Sequence, residues 1–169
     1  MRFPMGSVDI RETSLISRIA DRWTATPRAD CRQWWKTVRR HRDYELATSK
    51  LAFKECPEDY DDIRIVGLRR RVFAGLFIAR VPARRRDALA AALAGLKAPL
   101  PETELVDAQH VATAVLLQCQ HLLTWNQTHL ANPYISERVH NNPYEHGYQT
   151  PIIATPEQFQ NRRFQGKAR

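Results

Sequence analysis

Short apolar runs of strand length alternate in this chain with longer segments whose apolar residues repeat at helical spacing. That alternation constrains the architecture more than any other feature. The clearest helical segment is Val106 to Cys119, where Ala108, Val111, Ala112, Val115 and Cys119 form one stripe. HLLTW, His121 to Trp125, follows at once and reads as a strand. Further strands are expected at Val8–Ile10, Tyr44–Thr48, Leu76–Val81 and Pro151–Thr155. A helix is expected behind Thr26-Pro27, a hydroxyl cap followed by proline in the first turn, with Cys31, Trp34, Trp35 and Val38 on one face. Others are expected over Asp61–Ala74, over Arg84–Lys97 with Leu89, Ala92, Leu93 and Leu96 on one side, and within Thr128–Val139. Ser49 is placed to cap a short helix carrying Leu51, Phe53 and Glu55. Strands separated by helices build a mostly parallel sheet covered on both faces, the α/β class.

A length of 169 residues fits one domain, with a core over about residues 8–159 and loosely held ends. No repeat or low-complexity stretch interrupts it. No apolar run approaches the ~20 residues that span a bilayer, and the opening MRFPMGSVDI lacks the apolar core of a secretory signal. A cytoplasmic address without membrane attachment is therefore expected. Three unclustered cysteines, Cys31, Cys56 and Cys119, argue against a disulfide framework or a zinc knuckle.

Lys and Arg number 26 against 18 Asp and Glu, a net charge of +8. The excess is clustered at Arg39-Arg40-His41-Arg42, Arg69-Arg70-Arg71, Arg84-Arg85-Arg86 and the tail from Arg162 to Arg169. Any one cluster is best read as a solvated helix face. Their summed field suits a polyanion such as RNA, DNA or an acidic protein segment.

In open α/β sheets the working site lies beyond the carboxyl ends of the strands. Glu12, with Thr13 and Ser14, follows the expected first strand; Glu55 comes after the second; Asn126 stands just past the fourth. Asp107 opens the strongest helix, where the positive end of the macrodipole favours a carboxylate, and His110 lies three residues on. Three acids and an amide converging on one edge are hard oxygen ligands suited to Mg²⁺ or Mn²⁺. Each also has a plain alternative: Asp107 as helix cap, Glu55 as surface acid, Glu12 paired with an arginine, His110 as core histidine, Asn126 as turn former. The set, rather than any member, carries the functional reading.

DAQHVATA (Asp107–Ala114), LLTWNQTHLAN (Leu122–Asn132) and GYQTPIIATPEQF (Gly147–Phe159) together resemble the carboxyl-terminal half of PIN-domain proteins. The similar branch is the VapC-like one, whose fourth strand ends T-W-N-x-x-H. RETSLIS, WWKTVRRHRDYELATSKLAFKE and FAGL resemble the upstream half more loosely, so the likeness runs from about Val8 to Phe159. It implies a three-layer α/β/α sandwich with a five-stranded sheet. It also implies a Mg²⁺- or Mn²⁺-dependent endoribonuclease, often the toxin of a toxin–antitoxin pair, silenced by a cognate antitoxin and commonly a homodimer. Metal and catalytic positions carry over to Glu12, Glu55, Asp107 and Asn126, with Thr13, Thr124, His110 and His129 in support. Arg39, Arg40, Arg69, Arg70 and Arg71 would guide RNA.

The chain departs from that pattern. Glu12 replaces a shorter Asp, Asn126 replaces an acid, and Asp9 and Arg11 enter what should be an apolar strand. Asp9 is an alternative to Glu12 if the strand is shifted. The rival expectation is a weakened or inactive PIN-like module that binds RNA or a partner protein; a DNA-directed nuclease is a third.

Overall fold

Apolar segments from four separated regions of the chain line up beside the short stretch ETSLI to form a parallel sheet. The computed structural model describes residues 12–16, 44–54, 74–95, 98–124, 126, 128–141 and 148–159; for 12–16, 44 and 53 it describes the backbone path alone. The strands are β1 (Glu12–Ile16), β2 (Tyr44–Ser49), β3 (Phe77–Ala79), β4 (His121–Leu123) and β5 (Ile152–Ala154). Their order is β3-β2-β1-β4-β5, and every neighbouring pair is parallel. Leu15 pairs with Leu122, and Leu122 in turn with Ile153, so apolar residues cross the sheet centre in register. The class is mixed α/β.

Ser49 ends β2 and its Oγ accepts the Ala52 N–H at 3.1 Å, which starts α1 (Lys50–Lys54) as its sequence position foretold. α2 (Ala83–Leu93) is shorter than the spacing predicts. Ala94 turns extended and Gly95 takes φ +156°, a conformation that glycine adopts at little cost. The Gly95 N–H then donates to Leu100 O, and the Leu100 N–H donates to Leu93 O, closing the connection. Its inward face also differs from expectation: Ala90 and Leu93 are buried while Ala92 is exposed, because the stripe that meets the next helix runs Arg86, Leu89, Ala90, Leu93. Arg84 and Arg85 lie on the exposed face, and Arg86 pairs with Asp87 at 2.8 Å.

A 3₁₀ turn over Glu102–Glu104 runs directly into α3 (Leu105–Leu116), the best-buried helix of the described residues. Ala108, Val111, Ala112 and Val115 are fully buried, as their spacing predicts. The helix stops in a Schellman motif. Gln118 takes φ 54°, its N–H donates to Val115 O at 2.9 Å, and the Cys119 N–H reaches back to Ala114 O at 2.9 Å. Three residues later β4 begins, so helix and strand form one tight unit. Leu93, Leu100, Val111, Val115, Leu122, Leu123, Leu130 and Val139 supply the largest fully buried apolar side chains among the described residues.

α4 spans Pro133–Asn141; residues 128–131 form a turn rather than the start of this helix, since Pro133 suits a first helical position. After β5, Thr155 and Gln158 exchange side-chain and backbone hydrogen bonds at 2.9 and 3.1 Å, a capping box that opens a helical turn at 156–159. The helix expected behind Thr26-Pro27 and nearly all of Asp61–Ala74 lie outside the described residues, as does the expected strand Val8–Ile10. No helix among the described residues is long and apolar enough to cross a membrane.

Candidate metal centre

From β1 the chain steps outward to β2 and β3 on one side, and β4 and β5 extend the sheet on the other. The switch point therefore lies between β1 and β4, where such sheets open a crevice beyond their carboxyl ends. β4 leads into it through Thr124, which is fully buried and whose N–H donates to Ala154 O at 3.0 Å. Thr124 Oγ1 accepts the Asn126 N–H at 3.1 Å, so the threonine sets the bend that presents Asn126.

Asn126 is engaged on every side. Its carbonyl O accepts the Ala131 N–H at 2.7 Å, and its Oδ1 accepts the His129 N–H at 3.2 Å. Its Nδ2 donates to Asp107 Oδ2 at 2.7 Å. A donor on one side and a carboxylate on the other fix which way the amide faces. Asn126 thus acts as a turn former and as a partner of the acid at once. The expectation that it offers an uncharged oxygen to an ion does not match this orientation, because that oxygen is turned to the His129 backbone.

Asp107 sits in the first turn of α3 with 1% exposure. A carboxylate so buried demands strong partners. One is Asn126; another is His129, whose Nδ1 lies 3.4 Å from Asp107 Oδ2 and 2.8 Å from Glu104 Oε2. Glu104 reaches this point because the 3₁₀ turn carries it to the face of Asp107, three residues ahead. Glu104 and His129 side chains remain 23% and 32% exposed, so the cluster is closed at Asp107 and open towards solvent.

One ligand atom from each of Glu104, Asp107 and His129 lies within 4.8 Å of the others. Ligand bonds of roughly 2.0–2.2 Å around a divalent ion would set adjacent donors ~3 Å apart and opposed ones a little over 4 Å apart. The 2.8 and 3.4 Å separations match adjacent positions. In donor type, and in these two separations, the set suits a small divalent cation whose shell bound water would complete.

Of the residues proposed from sequence, Asp107, Asn126, Thr124 and His129 come together here. His110, fully buried along α3, belongs to the core. Glu12 falls elsewhere along its strand. β1 runs over Glu12–Ile16 rather than ending before Glu12: Glu12 pairs with Tyr44, and the carboxyl-terminal Leu15 and Ile16 pair with Leu122 and Leu123. At about 3.3 Å per residue, the Glu12 backbone stands ~13 Å from the strand's carboxyl end. Thr13 shares that half of the strand. Glu55, Arg39, Arg40, Arg69, Arg70 and Arg71 lie outside the described residues. Glu104 escaped the sequence reading, which began the helix at Val106; the i, i+3 spacing in ETELVD was the available signal.

Comparisons with protein-family models, curated proteins and solved structures find no match to this chain.

Proposed function

We propose that the chain is a divalent-metal-dependent ribonuclease with a PIN-type three-layer fold, acting as the toxin of a toxin–antitoxin pair. The observation that carries the reading is a buried Asp107 carboxylate at the sheet's switch point, grouped with Glu104 and His129 within 4.8 Å. When bound there, Mg²⁺ or Mn²⁺ would supply an activated water and neutralise charge developing at phosphorus. Asp107 and Glu104 provide the negative charge that holds the ion. Asn126 keeps the Asp107 carboxylate in place through its amide N–H, and Thr124 keeps Asn126 in place. The resemblance adds Glu55 as a further acid. The +8 chain would draw in the RNA backbone, with Arg39, Arg40 and Arg69–Arg71 as guides. An acidic antitoxin segment suits the same basic surface, and a homodimer in the cytoplasm completes the picture.

A second reading, a PIN-like module that binds RNA without cutting it, is favoured by one observation. Where an acid would repel Asp107, Asn126 instead donates to it, so the cluster needs less cationic charge. Incubating RNA with the protein and Mn²⁺ or Mg²⁺, wild type beside Asp107→Asn, separates the two. Cleavage lost in the variant supports the nuclease. Equal cleavage in both removes the role assigned to Asp107, and RNA affinity without cleavage by either selects the second reading. A matched single-stranded DNA distinguishes the DNA-directed alternative.

A further inference from the structure

We propose that His129 is itself a metal ligand and makes this centre select a late first-row divalent ion, Co²⁺ or Zn²⁺, over Mg²⁺. The proposal rests on the metal-centre reading above and specifies which ion it takes.

Carboxylate oxygens suit Mg²⁺ and Mn²⁺ and favour Co²⁺ and Zn²⁺ only modestly over them, whereas imidazole nitrogen suits zinc, nickel and copper and is a poor ligand for Mg²⁺, so it widens the gap. A centre of acids alone would thus be a magnesium site. Here His129 Nδ1 lies near both acids, 2.8 Å from Glu104 Oε2 and 3.4 Å from Asp107 Oδ2. An ion adjacent to both oxygens meets that nitrogen at ligand distance. To bind an ion, Nδ1 must offer its lone pair, so the ring carries its hydrogen on Nε2.

The imidazole is also held in place. The His129 N–H donates to Asn126 Oδ1 at 3.2 Å while Asn126 Nδ2 donates to Asp107 at 2.7 Å. One amide therefore ties the histidine-bearing turn to the buried acid. The Ala131 N–H to Asn126 O bond, at 2.7 Å, closes that turn behind it. A ligand pre-placed by its neighbours loses little freedom on binding, and such outer partners typically change metal affinity by roughly 10–100-fold. Entry is from the half-open side formed by Glu104 and His129.

Titration calorimetry of the full chain with CoCl₂, ZnCl₂ and MgCl₂, for wild type, His129→Gln and Asp107→Asn, tests this. The expected result is wild-type affinity for Co²⁺ and Zn²⁺ at least about tenfold above that for Mg²⁺. In His129→Gln, which offers an amide oxygen instead, Mg²⁺ affinity should change by less than about threefold while the preference narrows several-fold. Equal wild-type affinities, or a preference undiminished in His129→Gln with its circular dichroism unchanged, overturn the selectivity and leave the centre standing. Absence of saturable binding by any ion, or identical binding by Asp107→Asn, overturns the centre itself.

Discussion

Asn126 and Asp107, 19 residues apart in the chain, are joined by a 2.7 Å hydrogen bond from the amide Nδ2 to Oδ2. The amide that follows β4 and the acid that opens α3 thereby act as one unit, and the unit makes an unusual demand at position 126: a donor, where the resemblance would place an acceptor.

Asn126→Asp reverses that demand. A second carboxylate would face Asp107 in a buried site, replacing a charge-assisted hydrogen bond by repulsion. In EDTA the variant should lose about 1.5–3 kcal/mol of stability by urea unfolding. Saturating Mn²⁺ should restore it and bind more tightly than to wild type, since the added charge favours the ion. A variant as stable as wild type in EDTA would show that the amide contributes nothing to holding Asp107.

Burial, and secondarily the nearby Glu45 carboxylate, push the Cys119 thiol up from 9.0 to about 12. The folded protein thus keeps a proton that the unfolded chain gives up first. The thiol's contribution to stability is complete below pH 9 and declines as pH rises from 9.0 towards 12. Unfolding free energies of wild type and Cys119→Ala, measured across that window, should converge with a steeper fall for wild type. Parallel curves would mean that Cys119 ionises as freely folded as unfolded.

Gln118 holds φ 54° at the end of α3, a position that glycine fills without strain. Gln118→Gly should stabilise the fold by about 0.5–1 kcal/mol, the relief of a left-handed side-chain residue less the added freedom of the unfolded chain. Thermal unfolding reads this directly; a lower midpoint would mean that the glutamine side chain matters more than its backbone.

Ser49 caps α1 through the Ala52 N–H at 3.1 Å and is 4% exposed. Removing the acceptor in Ser49→Ala should cost roughly 1 kcal/mol, whereas Ser49→Thr, which keeps an uncharged hydroxyl acceptor, should lose less of the cap. Urea midpoints ranked alanine below threonine below serine are the expected order.

Local pattern explains what could be read beforehand. The α3 stripe and the cap at Ser49 depend on residues within a turn or two of each other, and both appear where spacing puts them. Asp107 and Asn126 could be singled out because each sits at the junction of two strongly patterned segments. β1 could not be bounded this way: a strand's ends are set by its partners, and pairing of Glu12 with Tyr44 and of Ile16 with Leu123 puts Glu12 inside the strand instead of after it. On α2 the spacing puts Leu89 and Leu93 inward correctly but picks Ala92 over Ala90, because the two alanines are chemically identical and only packing against α3 chooses between them. Glu104 and the place of His129 beside Asp107 are harder to read. Both are supplied by short turns flanking regular elements, where the i, i+3 spacing of Glu104 and Asp107 is the one local signal.

Every member of the cluster, from Glu104 to His129, comes from one uninterrupted helix–strand–turn passage. Such a passage is close to self-contained as a cassette. Substitutions in the amino-terminal half can loosen its scaffold but do not redraw the distances among its donors, so the chemistry of the centre is free to persist while the rest of the chain diverges.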